Sequence, residues 1–255
     1  MIKSKKLSKF RDIEHAFFNR LGGKSNGIYK SLNCGIGSSD KKKDVLKNIS
    51  IVCKKIGVSK NKLVLLNQVH SNKFLFINKK YKLNKKKFKG DALISNTKKI
   101  AIGVLSADCV PILIYDEANQ IIATVHAGWK GAVGGIIENT IKEIVKIGGN
   151  NKINVAIGPC INANNYEVGQ DFYDKFIQAS KKNENYFLPT KKNKFLFDLR
   201  KYVNSKFEKL EVNHIENIDF DTFSETEKFF SFRRSTLLGE NHYGRCISLI
   251  SLIND

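Results

Sequence analysis

Arginine is scarce in this chain. Of its 44 basic residues only six are Arg (Arg11, Arg20, Arg200, Arg233, Arg234 and Arg245), although the net charge is +20. Such a charge would suit a phosphate backbone, yet Arg is the usual residue for bidentate phosphate and base contacts. The lysines stand scattered in short runs such as Lys41 to Lys43, Lys85 to Lys87 and Lys181-Lys182, as on loops and solvated helix faces. No specific nucleic-acid function is expected. Cysteine is sparse too: five residues, an odd number with no Cys-x-x-Cys pair, which excludes a regular disulfide framework and points to reduced thiols in the cytoplasm. No apolar run is long enough to cross a membrane, and the basic segment Met1 to Lys9 lacks the apolar core of a signal peptide. Repeats and separating linkers are absent, so residues 1–255 are expected to form a single domain, and a monomer.

The richest stretch runs from Ile100 to Glu138 and contains the single tryptophan. Ile100 to Leu105, Val110 to Tyr115 and Gln120 to Val125 are short, β-branched and broken by turn residues, so they read as buried strands. Asp116 to Asn119 is a short polar break that predicts a hairpin between the second and third. Cys109 then heads one strand and His126 ends its neighbour. An antiparallel pair puts both at the same end of the sheet. After them Gly131 to Gly135 opens a helical pattern marked by Ile136, Ile137, Thr140, Ile141, Ile144 and Val145, and free N–H groups at a glycine-rich helix start favour an anion.

Elsewhere, Asp44 to Ile56 has helical spacing and stops at Gly57, and Leu63 to Leu66 and Phe74 to Ile77 predict strands flanking His70. His70 in that loop has a structural as well as a functional reading. Lys79 to Lys89 is expected to be an exposed, mobile connection. Asp91, at the head of an apolar run, is either a turn residue or a general base beside the sheet end. Ile153 to Ile157, Val212 to Ile215 and Cys246 to Ile253 predict strands, while Gln170 to Ala179 and Asp198 to Leu210 predict helices. For Arg20, beside the Gly22-Gly23 turn, a surface ion pair is the plain alternative to a functional role.

His70, Cys109 and His126 each end or follow a strand, and imidazole with thiolate suits zinc, with a fourth position left for water. Their spacing is wider than that of a structural zinc motif. Two alternatives stand beside it: a buried Cys with two hydrogen-bonded histidines, or a nucleophile pair in which His126 activates Cys109 or Cys160.

Several motifs, spread in order over nearly the whole chain, resemble the polyphenol oxidoreductase (laccase-domain) family. They are Phe17 to Gly23, Ser31-Leu32-Asn33, Gln68-Val69-His70, Ala107 to Pro111, His126 to Gly131, Ile157 to Cys160, Tyr166 to Gly169 and Phe230 to Arg234. Small departures are Asn19, where Thr or Ser usually precedes the Arg, and Lys130, where Arg commonly follows the Trp. The resemblance implies an α/β (α+β) protein of mixed sheets covered by helices, holding one zinc ion on His70, Cys109 and His126. It implies a purine nucleoside phosphorylase acting on adenosine, inosine, guanosine and methylthioadenosine, with adenosine deaminase activity at the same zinc. Purine nucleosides and phosphate are the implied partners. Within that reading Arg20, Asp91 and Glu167 are the candidate catalytic residues: Arg20 for the phosphate, with the glycine-rich helix start, and Asp91 or Glu167 for the proton. Asn33, Trp129 and Arg233 are the candidate substrate-binding residues. Copper is not expected, because a multicopper cluster needs many histidines and the chain has five. A Cys-dependent amide hydrolase or peptidoglycan-editing enzyme is the alternative function.

Overall fold

In the computed structural model, residues 1–81, 88–148, 153–212 and 214–253 are described. In chain order come β1 (Ile13–Phe17), α1 (Lys42–Lys55), β2 (Leu63–Leu65), β3 (Phe74–Ile77), β4 (Ala92–Ser95), β5 (Ala101–Ser106), β6 (Val110–Asp116) and β7 (Ile121–Ala127). There follow α2 (Trp129–Val133), α3 (Ile136–Lys146), β8 (Asn154–Ile157), β9 (Glu167–Gly169), α4 (Gln170–Ala179), β10 (Phe187–Pro189) and β11 (Lys194–Phe197). The chain closes with α5 (Leu199–Glu208), β12 (His214–Asn217), α6 (Phe232–Leu237) and β13 (Cys246–Leu252). Most of the expected basic connection, residues 82–87, lies outside the described residues.

The strands form three sheets: four strands in the order β1-β13-β5-β2, six in the order β12-β8-β6-β7-β4-β3, and a small one in the order β10-β11-β9. The six-stranded sheet mixes parallel pairs, such as β3 with β4, with antiparallel ones such as β6 with β7. Burial explains the near-continuous apolar runs of β6 and β7, every residue of which is buried. Leu113 and Tyr115 of β6 face the four-stranded sheet, in a core with Ile102 and Ile250. Their neighbours Ile112 and Ile114 point the other way, into a core with Ile137 and Ile141 of α3 and Val203 of α5. A strand covered on both faces cannot show the alternation of a half-exposed one. On the outer face of the four-stranded sheet, Val45, Ile49 and Val52 of α1 pack against Ala101, Ile247 and Leu249. The result is an α+β architecture in which two mixed sheets pack face to face between layers of helices.

The expected elements recur with small shifts. Gly57 follows α1 with φ +69°, the left-handed conformation that stops a helix. The glycine-rich segment is more than the start of one helix: residues Trp129–Val133 form α2, a turn runs through Gly134-Gly135, and α3 begins at Ile136, with Gly135 at φ +89°. The strand expected at Val212 to Ile215 lies two residues further on, at His214–Asn217. Strand β1, the small sheet and α6 had no counterpart in the sequence reading.

Candidate metal centre

Register puts the first two ligands together. In the β6/β7 hairpin Val110 pairs with Ala127 and Pro111 with His126, so Cys109, one residue before β6, emerges beside His126. His70 arrives on the loop between β2 and β3. Gln68 anchors that loop by making two hydrogen bonds to the backbone of Leu105, accepting from its N–H at 2.8 Å and donating to its carbonyl at 2.7 Å.

Asp91 orients the His126 imidazole and anchors the backbone of the His70 loop. Its wholly buried carboxylate lies 2.9 Å from Nδ1 of His126, and it accepts the backbone N–H groups of Val69, His70 and Ser71 as well as the Ser71 hydroxyl. With Nδ1 of His126 committed to a carboxylate, Nε2 is left as the ligand atom. This is the arrangement that fixes tautomer and ring direction in metal sites. Burial opposes ionisation of Asp91, but the bonds from His126 and Ser71 outweigh it and hold the carboxyl at about 2.

Two residues at the centre adopt left-handed backbone, His70 at φ +58° and Asp108 at φ +87°. Non-glycine residues pay for that conformation, and it persists where surrounding bonds over-determine it. Asp91 supplies those bonds for the His70 loop. Asp108 is held by the Thr222 hydroxyl at 2.7 Å, the Ser231 hydroxyl at 2.9 Å and the Arg233 N–H at 2.7 Å. Residue 108 therefore ties the Cys109 turn to the start of α6.

Among the described residues, the ligand atoms of His70, Cys109 and His126 all lie within 4.8 Å of one another. Sγ of Cys109 is 3.7 Å from Nε2 of His70. A tetrahedral zinc with Zn–S about 2.3 Å and Zn–N about 2.05 Å separates sulfur from nitrogen by about 3.6 Å, so the donors fit such an ion. Gly128 makes room for them: a Cβ there would stand 2.4 Å from Cδ2 of His70 and 3.0 Å from Sγ of Cys109. Burial works against the Cys109 thiolate, yet the charge and hydrogen bonds of His126 and His70 bring the thiol down to about 6. His126, although buried, is pushed up to about 9 by Cys109 and Asp91. The pair favours thiolate, the form a metal takes up.

Two cavities meet at this group, sharing His70, Ala107, Cys109 and Tyr243. One, about 470 Å³, is walled by Trp129, Tyr166, Phe172, Phe232 and Arg233, with Glu167 at its wall. Trp129 and Phe172 have ring centroids 4.7 Å apart, and the Arg233 guanidinium lies 5.4 Å over the Tyr166 ring. The other, about 640 Å³, is lined by Gly35, Gln68, Lys89, Ser106, Arg245 and their neighbours.

The sequence-selected residues thus divide. Glu167, Trp129 and Arg233 reach the aromatic cavity. Arg20 lines neither cavity; its guanidinium donates to the carbonyls of Lys30, Thr226 and Ile28 and stacks 4.4 Å over Phe230. The phosphate contact expected of Arg20 has no counterpart in either cavity, because three of its donors turn to backbone carbonyls. Among the described residues no ion pair, the plainer expectation, holds Arg20. Asn33 is wholly buried, accepts from Gly35 N–H and Arg245 N–H and donates to Ser38 and Asp40, so its amide organises a loop and lines neither of these two cavities. Asp91 is enclosed by its five donors, the geometry of an orienting group more than of a free general base. Cys160 is buried, which pushes its thiol up to about 12, and it lines neither cavity. Sequence reasoning missed Phe172, Tyr243, Arg245 and Lys89. Of these, Gly244-Arg245 near the last strand offered a signal, as one of few arginines beside a glycine.

The fold and this His/Cys/His centre place the chain in a definite class: residues 14–253 match the family described as multi-copper polyphenol oxidoreductase laccase, and the chain belongs to it. Its relatives carry a different activity in their names. A purine nucleoside phosphorylase of Haemophilus influenzae is 30% identical over 92% of this chain and 93% of its own, and one of Rickettsia conorii is 35% identical over 74% and 77%. A crystal structure of a Neisseria meningitidis protein superposes with a TM-score of 0.84 at 32% identity, covering 96% of each chain. A Bacillus licheniformis protein of unassigned function gives 0.88 at 25% identity over 94% of this chain and 92% of that one.

Proposed function

We propose that the chain is a metal-dependent purine nucleoside phosphorylase, a transferase that moves the ribosyl group of adenosine, inosine, guanosine or methylthioadenosine from the purine to phosphate. The observation that carries this reading is the His70, Cys109 and His126 group at the junction of an aromatic cavity and a cationic one, in a chain whose relatives bear that name. A cavity of about 470 Å³ with Trp129 and Phe172 on its wall suits a purine, whose flat face stacks on aromatic rings.

Zinc is the metal this donor set suits best; when bound it supplies a Lewis acid and lowers the pKa of a water at its open position to about 7. The family's description speaks of copper, but among the described residues His70, Cys109 and His126 form the one group of metal-ligating type. Of the remaining histidines, His15 is buried and accepts the Ser4 N–H, His242 bonds to Ser39 and His214 lies on β12. In phosphorolysis a phosphate oxygen bonds to C1′ of the ribose as the C1′–N9 bond breaks, and the purine leaves with the electron pair and a proton. Glu167 is our choice to hold that proton near the departing purine, Arg233 to face the nucleoside, and Asp91 to keep the His126 imidazole aimed and the His70 loop in place. Deamination of adenosine to inosine is the proposed second activity, needing water in place of phosphate.

The Cys-dependent hydrolase remains the rival, because the Cys109 thiol is held at about 6. Incubation with adenosine decides between them. Phosphate-dependent loss of adenosine that stops with chelator supports the phosphorylase; untouched adenosine, with rapid iodoacetamide alkylation of Cys109 in metal-loaded protein, supports the hydrolase.

A further inference from the structure

The two cavities differ in charge. The aromatic one carries Asp108 and Glu167 beside Arg233, whereas the other has Arg245 and Lys89 on its wall and, among the described residues, no Asp or Glu in its lining. Resting on the phosphorylase reading, we propose that this second cavity is the phosphate site, with Arg245 its principal cation and Lys89 its second.

Arg245 is prepared for that task. Its N–H donates to the Asn33 side chain at 2.9 Å and its carbonyl accepts the Cys34 N–H at 3.1 Å, which fixes the backbone against the Asn33–Gly35 turn. Its guanidinium lies 4.4 Å over the Tyr243 ring and donates to the Tyr243 hydroxyl at 3.0 Å. NH1 approaches Gly35 so closely that a Cβ there would be 3.3 Å away. Arg20, Arg200 and Arg234 by contrast direct their donors to backbone carbonyls. Among the described residues no carboxylate pairs with Arg245, so a rigid, pre-aimed fork faces the cavity with donors to give. Asn33 thereby acquires a role at one remove, as a positioning residue for Arg245.

The geometry also orders the reaction. With the purine among Trp129, Phe172 and Tyr166 and the phosphate against Arg245, the ribose spans the metal group, and attacking oxygen and leaving nitrogen lie on opposite sides of C1′. In that displacement the dianion HPO₄²⁻ gives its oxygen to C1′ and the equivalent of its proton to the purine, which balances as free base and ribose 1-phosphate.

The test is initial-rate kinetics with adenosine and inorganic phosphate on Arg245→Gln, Arg245→Lys and Lys89→Gln, each checked for metal content. Arg245→Gln should raise the KM for phosphate roughly tenfold or more and leave the KM for adenosine within about twofold, with partial recovery in Arg245→Lys. Lys89→Gln should give a smaller rise, about threefold. An unchanged phosphate KM in an active Arg245→Gln, or a change confined to adenosine, would overturn the assignment while leaving the phosphorylase reading intact. Phenylglyoxal labelling of wild-type Arg245, followed by mass spectrometry, tests the site without turnover or a variant. Slowing by millimolar phosphate but not by chloride supports it, and equal labelling with both refutes it. If the wild type binds phosphate there yet releases no base from adenosine, the site stands and the phosphorylase reading falls.

Discussion

One carboxylate positions two histidines: Oδ1 of Asp91 lies 2.9 Å from Nδ1 of His126 and accepts the His70 N–H at 3.0 Å. Both ligands thus depend on a residue that need not touch the metal. Asp91→Asn keeps the shape and removes the charge, so zinc affinity measured by competition with a chromophoric chelator is expected to fall roughly 10- to 100-fold. Unchanged affinity would mean that Asp91 is a turn residue and nothing more.

The same carboxyl gives stability a pH dependence. It is held at about 2, against an ordinary 3.8, because bonds from His126 and Ser71 outweigh the burial that opposes ionisation. Its contribution is therefore complete above about pH 4 and is lost as pH falls towards 2. Thermal midpoints of metal-free protein should drop over that interval in the wild type and less steeply in Asp91→Asn.

How much of this centre was legible beforehand depends on the element. The hairpin that joins Cys109 to His126 was readable, because two apolar runs separated by a four-residue break, three of them polar, have few other ways to pair. His70 was a weaker inference, made firm by resemblance, since its loop is placed by Gln68 and Asp91 through contacts between residues distant in sequence. Arg245 offered only its scarcity beside a glycine, since its place follows from the Asn33 turn, over 200 residues away. Likewise β9, β10 and β11 are three or four residues long and partly exposed, too short for a period to show.

Space at Gly128 makes a second test of the centre. Alanine there would put its Cβ 2.4 Å from the His70 ring, so His70 must shift. Gly128→Ala should lose metal affinity by about tenfold or more, read by elemental analysis after dialysis against a weak chelator. Full retention would show that the loop yields freely.

Cys109 should behave as a shielded thiolate. In metal-free protein, alkylation by iodoacetamide is expected to rise with a midpoint near pH 6, set by His126 and His70 against the effect of burial. Bound metal should slow it by at least about tenfold. Rapid alkylation irrespective of metal would argue for a free nucleophile.

In the aromatic cavity, Trp129→Leu removes the face that Phe172 and the purine would share. The KM for adenosine should rise roughly five- to tenfold, about 1–1.4 kcal/mol, with the phosphate KM little changed. A rise in the phosphate KM alone would reverse the assignment of the two cavities.

The central claim is that this metal group supports transfer of ribose from purine to phosphate, and ³¹P NMR of purified protein with adenosine and phosphate tests it most directly. The expected result is a ribose 1-phosphate resonance growing in step with free adenine, abolished by chelator, restored by zinc, and absent from Cys109→Ser. Adenosine that survives intact in the zinc-loaded wild type, or adenine released without ribose 1-phosphate, would contradict it.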